Sequence, residues 1–188
     1  MTEAGDPTGP CIVLSHGFPE SAYSWRHQIP VLADEGYHVI APDQRGYGFS
    51  SAPTSVDAYG IVDLTGDLVG LLDATGHDTA TFVGHDWGSM VVWEAARLHP
   101  RRVDAVVGVS VPFTPWPARP TDIMKAMWTD RFFYILYFQH VGPPEKELEA
   151  DITTTMRSIL WGASGEMYKG MPTEFPPMEG TGFLDMFT

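Results

Sequence analysis

The sequence predicts an α/β fold, a mostly parallel sheet covered by helices. Strand-like and helix-like stretches alternate from Cys11 to Val109, the order that builds parallel sheets. The strand candidates, Cys11 to Ser15 and Val103 to Val109 among them, are near-continuous apolar runs, as strands buried on both faces must be. The 188 residues are 44% hydrophobic and 12% aromatic, enough to bury a substantial core in one compact unit with room for an excursion.

Taken in order, Met1 to Pro10 is rich in Gly, Pro and Thr and reads as a loop. Cys11 to Ser15 is a short strand that runs into His16-Gly17-Phe18-Pro19, which places backbone amides at its carboxyl end, where open α/β sheets bind ligands. Trp25 to Ala33 reads as a helix and Tyr37 to Ala41 as the next strand. Gly46-Tyr47-Gly48-Phe49-Ser50-Ser51 resembles a dinucleotide-binding loop only superficially. Its third glycine position holds Ser51 and no helix follows at once, so a tight turn is the better reading. Ile61, Leu64, Leu68, Leu71 and Leu72 repeat at helical spacing, giving a helix over Tyr59 to Ala74 closed by Gly76.

After Thr79 to Val83, an alternating run that reads as a buried strand, and Ser89 to Leu98, an apolar helix stopped by His99-Pro100, comes the strand Val103 to Val109. Val111 to Pro120 then carries Pro112, Pro115, Pro117 and Pro120. Such a stretch suits neither helix interior nor central strand and marks a boundary. Beyond it strand periodicity disappears, and seven of the nine methionines appear with Trp128, Trp161 and the Phe132 to Phe138 cluster. Glu145 to Trp161 reads as a helix entered through Pro143-Pro144.

Eleven basic against 24 acidic side chains give a formal charge of -13, which repels phosphate backbones and anionic lipid. Nucleic-acid binding is not expected, and neither is membrane insertion, because the Phe132 to Phe138 run is too short to span a bilayer. The single cysteine, Cys11, excludes an internal disulfide and fits a reducing compartment, so a cytoplasmic location is expected. Cys11 itself reads as a small core residue. No cofactor and no metal site is expected, and oligomeric state is not legible.

Between the strand ending near Val83 and the helix beginning near Ser89 sits Gly84-His85-Asp86-Trp87-Gly88. Glycines two residues before and two after the central residue have the spacing of a nucleophile elbow, a sharp strand-to-helix turn that exposes the central side chain. Asp86 stands where serine is found in hydrolases of esters. Aspartate is also a good N-cap and glycine is common at such corners, so the pentapeptide alone reads more readily as a structural turn.

The stretch from His16 to Pro53, the segment GHDWGSMVVW and the segment YILYFQ occur in an order that resembles the epoxide hydrolase family of α/β-hydrolases, from Ile12 to about Arg157. The resemblance implies a small apolar epoxide as substrate and Asp86 as nucleophile, forming an alkyl ester with the opened ring. Carboxylate suits that step because its product is an ester that water can hydrolyse, whereas serine would leave an ether. The implied oxyanion donors are the backbone N–H groups of Phe18 and Trp87. Tyr134 in YILYFQ matches the cap tyrosine that protonates the leaving alkoxide, with Tyr137 as substitute, and Trp25 matches an aromatic position near the pocket. His16 and His85 are better read as structural. The implied organisation is a partial hydrolase core over residues 1–116 and a partial helical cap over 117–188.

The same resemblance calls for a catalytic histidine and an orienting acid after the nucleophile. His99, at a helix end, and His140, in the cap-like segment, do not sit after a later core strand. Tyr168 is in the wrong context for the second cap tyrosine. The sheet is therefore expected to be incomplete, without its C-terminal core strands, and these residues alone are expected to be alkylated at most once, without turnover. The alternatives are a haloalkane or haloacid dehalogenase, which uses the same aspartate but needs no proton donor for a halide, and a noncatalytic remnant.

Overall fold

The computed structural model describes residues 1–167 and 176–187. It divides into two compact units, Met1–Thr114 and Pro115–Thr188, the division falling inside the proline-rich stretch and two residues before the boundary read from sequence.

The first unit contains β1 (Thr2–Ala4), β2 (Cys11–Ser15), α1 (Gln28–Asp34), β3 (His38–Ala41), α2 (Ile61–Thr75), β4 (Ala80–His85), α3 (Trp87–Leu98) and β5 (Val103–Val109). The strand order is β1-β3-β2-β4-β5. The pairs β2–β3, β2–β4 and β4–β5 are parallel, and β1 lies antiparallel on β3. The expected α/β sheet is thus present, with one strand more than the sequence disclosed. Thr2 to Ala4 is not loop: its backbone pairs with Ala41, Ile40 and Val39, satisfying amides that β3 would otherwise leave open at the edge.

Side chains alternate across the strands, and the two faces carry separate cores. Cys11, Val13, Ile40, Ala80 and Phe82 face α2 and α3 and pack with Leu68, Leu72, Val91, Val92 and Ala95. Ile12, Leu14, Val39 and Ala41 face the other way, against Ala22, Trp25 and Ile29. Phe82 and Leu72 are wholly buried, each contributing about 1.5–3 kcal/mol of apolar transfer. At the opposite edge β5 pairs only with β4 among the described residues, and Val107 and Val109 remain 47% and 40% exposed.

The helix expected over Trp25 to Ala33 splits into a 3-10 turn, Ala22–Trp25, and α1 from Gln28. Pro30 is the cause, since a proline is accommodated only in the first turn, where its missing N–H breaks no bond. Helix α2 ends as expected at Gly76, in the left-handed region at φ 79, with its N–H on the Leu72 carbonyl.

The second unit holds α4 (Pro120–Met127), the single turn α5 (Tyr134–Tyr137), α6 (Pro143–Glu149) and α7 (Ile152–Gly162), with a 3-10 turn at Leu184–Phe187. The helix expected over Glu145 to Trp161 is two helices. The Asp151 carboxylate accepts from the Thr154 N–H at 3.1 Å and its hydroxyl at 2.7 Å, making residue 151 an N-cap that starts α7 afresh. No helix among the described residues is long and apolar enough to cross a membrane. Tyr168 lies outside the described residues.

Candidate active site

β2 is central in the order, with β3 on one side and β4 on the other. The chain therefore reverses its direction across the sheet at β2, and ligands of open α/β sheets bind beyond the carboxyl ends of strands at such a point. Ser15 and Gly84 are paired at the ends of β2 and β4. The HGFP turn and the GHDWG turn consequently emerge side by side.

β4 runs two residues further than the sequence pattern suggested and α3 begins two residues earlier. Asp86 alone joins strand to helix, at φ 54 and ψ -122. A non-glycine residue with positive φ is strained, at a cost on the order of 1–3 kcal/mol, and such residues concentrate at functional sites. The corner reading of the pentapeptide is thereby weakened, because the Asp86 side chain makes no capping bond to α3.

Close approach explains both glycines of the motif. A Cβ on Gly84 would lie 2.3 Å from the Gly88 carbonyl oxygen, and one on Gly88 would lie 2.1 Å from the Ser15 carbonyl oxygen. Ser89, fully buried, fastens the bend. Its Oγ lies 2.7 Å from the Gly84 carbonyl oxygen and accepts from the Val109 N–H at 3.1 Å.

The Phe18 N–H donates to Asp86 Oδ1 at 3.0 Å. Trp87 is the first residue of α3, so its N–H has no intrahelical acceptor and belongs to the positive end of the helix. Trp87 as a whole is 38% exposed. Gly17 packs directly on the carboxylate: a Cβ there would lie 2.4 Å from Asp86 Cβ and 2.6 Å from Oδ1. Gly17→Ala is accordingly expected to displace the carboxylate and to slow the alkylation that the sequence leads one to expect at Asp86 by about 10²-fold, the loss typical of a 1 Å misplacement. The check is the rate of adduct formation by mass spectrometry, with circular dichroism confirming the fold.

His16 is fully buried beneath the same turn. Its Nε2 accepts from the Gln44 N–H at 2.9 Å, so Nδ1 carries the proton and donates to the Gly17 carbonyl at 2.9 Å. The Gln44 side-chain amide donates to the His16 carbonyl. Burial holds the imidazole below its ordinary 6.5, against the smaller opposing effect of the Gly17 carbonyl. The unfolded chain therefore binds the proton first as pH falls, and stability declines below pH 6.5 by up to about 1.4 kcal/mol per pH unit until the folded ring itself titrates. Urea unfolding across pH 4.5 to 7.5, with the His16 ring followed by NMR, is expected to show that decline and a ring that titrates below 6.5.

Tyr47, which the sequence reading left inside a turn, is edge-on to His16 with ring centroids 4.9 Å apart. Burial, and then the charge of Asp86, push its phenol up to about 12. Gly46 and Gly48, at φ 88 and 50, form the turn that brings it there. Only the positive-φ requirement was visible in the sequence, as the two glycines flanking it.

Trp25 is buried and lines a cavity of about 130 Å³ with Glu20, Ser24, Gln28, His85 and Val109. Its indole N–H has no acceptor among the described residues. His85 Nδ1 lies 3.0 Å from Glu20 Oε2. In the second unit, the Tyr134 ring is 5.4 to 5.9 Å from those of Phe133, Phe138 and Phe183. Tyr137 donates its hydroxyl to Glu147 Oε2 at 2.7 Å. That carboxylate also accepts from the Phe183 and Leu184 amides, and burial, followed by Glu147, pushes the Tyr137 phenol up to about 12.

A strand-to-helix elbow presenting a carboxylate on a mostly parallel sheet, with a backbone donor from the neighbouring strand's turn, defines a hydrolase-type site. A family model described as alpha/beta hydrolase fold matches residues 10–148, and the chain belongs to that family. Over 163 residues it is 55% identical to epoxide hydrolase A of Mycobacterium tuberculosis, covering 86% of this chain and 51% of that protein. Over 182 residues it is 41% identical to an epoxide hydrolase of Caballeronia sordidicola, covering 96% and 54%. The crystal structure of epoxide hydrolase A from Mycobacterium thermoresistibile superposes with a TM-score of 0.92 at 52% identity, over 99% of this chain and 58% of that one. The chain spans about half the length of these curated relatives.

Proposed function

We propose that the chain carries the ester-forming half of an epoxide hydrolase, a cytoplasmic enzyme acting on small apolar epoxides, with residues 117–188 contributing to a helical cap. The observation that carries the reading is the Phe18 N–H on Asp86 Oδ1 at 3.0 Å, with Asp86 held at φ 54 on the elbow. It leaves Oδ2 as the attacking atom. A bond forms from Oδ2 to an epoxide carbon, the ring C–O bond breaks, and its electron pair passes to the ring oxygen as an alkoxide. Tyr134 supplies the proton to that oxygen, and Trp25 and Tyr137 belong to the substrate-binding aromatics.

The ester carbonyl oxygen is then Oδ1, already facing the Phe18 amide. When water adds to the carbonyl carbon, negative charge develops on that atom, and the amides of Phe18 and Trp87 stabilise it, an effect worth about 2.7–4 kcal/mol per donor in comparable sites. Collapse breaks the bond from the carbonyl carbon to Oδ2, which leaves as a hydroxyl of the vicinal diol with one proton of the added water; the water oxygen stays in the restored carboxylate, and the second proton returns to the Tyr134 phenolate. None of the histidines is assigned as the base that activates the water; the acceptor nitrogen of His16 is already taken by the Gln44 N–H.

Intact-mass spectrometry of the chain incubated with styrene oxide tests the reading. The expected result is covalent addition of one epoxide, mapped to the peptide containing Asp86, or diol formation passing through that adduct. A folded chain that forms neither overturns it, as does an adduct confined to other carboxylates.

A further inference from the structure

The amino ends of the same strands hold a second cluster of chemically competent side chains, which none of the hydrolase chemistry uses. Cys11 opens β2 and His38 opens β3, and the two are direct partners in the parallel ladder. Parallel partners project to the same face of a sheet. Cys11 is 5% exposed and His38 1%. His77 reaches them from the connection after α2, just past the Gly76 cap. One ligand atom from each of Cys11, His38 and His77 lies within 4.8 Å of the other two.

The hydrogen bonds fix which atoms are available. His38 Nε2 is 2.9 Å from Glu3 Oε1, and an ionised carboxylate only accepts, so Nε2 carries the proton and Nδ1 keeps its lone pair. That lone pair points at His77 Nε2, 2.6 Å away. Glu3 therefore stands behind His38 as carboxylates stand behind metal-bound histidines, setting the tautomer and raising the basicity of the free nitrogen. His77 is held at both ends of its peptide unit: its N–H donates to the Leu72 carbonyl at 2.9 Å and its carbonyl accepts from Arg102 at 3.2 Å. It is also only half-buried, which opens the cluster to solvent on one side.

We propose that Cys11, His38 and His77 form a binding site for a divalent cation of the zinc class, with Glu3 orienting His38. Thiolate and imidazole are both donors that zinc accepts, and three protein ligands leave a fourth tetrahedral position for water. On binding, the Cys11 thiol gives its proton to solvent. The Nε2 proton of His77 moves to Nδ1, and both imidazoles stay neutral and bind through the nitrogens that now face each other, which part from 2.6 Å to the roughly 3.3 Å set by two bonds of about 2.0–2.1 Å to a tetrahedral ion. No electron transfer is involved. The cation would join β1, β2, β3 and the α2–β4 connection at the end of the sheet remote from Asp86.

The test uses the full chain freed of metal, with Zn²⁺ titrated in competition with a chromophoric chelator and Co²⁺ used as a spectroscopic probe. One equivalent of either ion is expected to bind, Co²⁺ giving tetrahedral visible bands and a thiolate charge-transfer band. Cys11→Ser should abolish the charge-transfer band. His77→Gln, at a half-buried position that does not threaten the core, should weaken Zn²⁺ binding by at least about 10²-fold, and Glu3→Gln by roughly 10-fold. Failure of the parent chain to bind Zn²⁺ would overturn the proposal, and so would affinity unchanged in His77→Gln. Alkylation at Asp86 is measured separately and bears on neither result.

Discussion

Replacing Asp86 by asparagine is expected to suppress covalent capture of an epoxide on the order of 10⁴-fold or more. The effect is the largest available because the proposed reaction makes Asp86 Oδ2 the bond-forming atom, and loss of a nucleophile removes every later step with it. Asparagine is the informative substitution. It keeps an oxygen where the Phe18 N–H donates at 3.0 Å, and it is among the residues that best tolerate positive φ, which the position demands at 54°. What it removes is the negative charge and the nucleophilicity of Oδ2. Equal adduct yields from wild type and variant, both confirmed as folded, would assign the chemistry elsewhere. A variant that is silent but has the wild-type urea midpoint would locate the nucleophile at residue 86 without ambiguity from unfolding.

The elbow was legible in the sequence because its geometry imposes composition: only glycine fits where Gly88 meets Ser15 and where Gly84 meets Gly88. The parallel sheet was legible for a similar reason, since strands covered on both faces read as near-continuous apolar runs; β5, read in the same way, is instead largely exposed at the edge of the sheet. β1 was not, because a three-residue edge strand is specified by the backbone groups it pairs with on β3 and not by its own side chains. The break at Asp151 was misread because helical periodicity continues across it, and a cap is decided by one side chain against one amide. Tyr47 and the Cys11–His38–His77 cluster escaped for a third reason. Their neighbours are distant in sequence and are brought together only by the ladder and the loops, so spacing along the chain contained no sign of either.

Tyr134→Phe separates the epoxide reading from that of a dehalogenase, because the two leaving groups differ in what they require. An alkoxide leaves well only as it is protonated, and general acid catalysis of this kind contributes about 10²–10⁴-fold. A halide leaves as an anion and is served by N–H donors such as an indole. The variant is therefore expected to slow alkylation of Asp86 by an epoxide within that range while leaving alkylation by a haloalkane of similar size nearly unchanged. Packing does not confound the comparison, since Phe keeps the ring that contacts Phe133, Phe138 and Phe183. Tyr137→Phe provides the contrast within the same helical turn. Its hydroxyl is committed to Glu147 at 2.7 Å, so its loss should lower stability by about 1.5–3 kcal/mol, the contribution of a hydrogen bond to a charged group, with a smaller effect on the epoxide rate. If the two substitutions reversed roles, Tyr137 would be the acid, and if neither discriminated between epoxide and haloalkane the proton donor would lie outside α5.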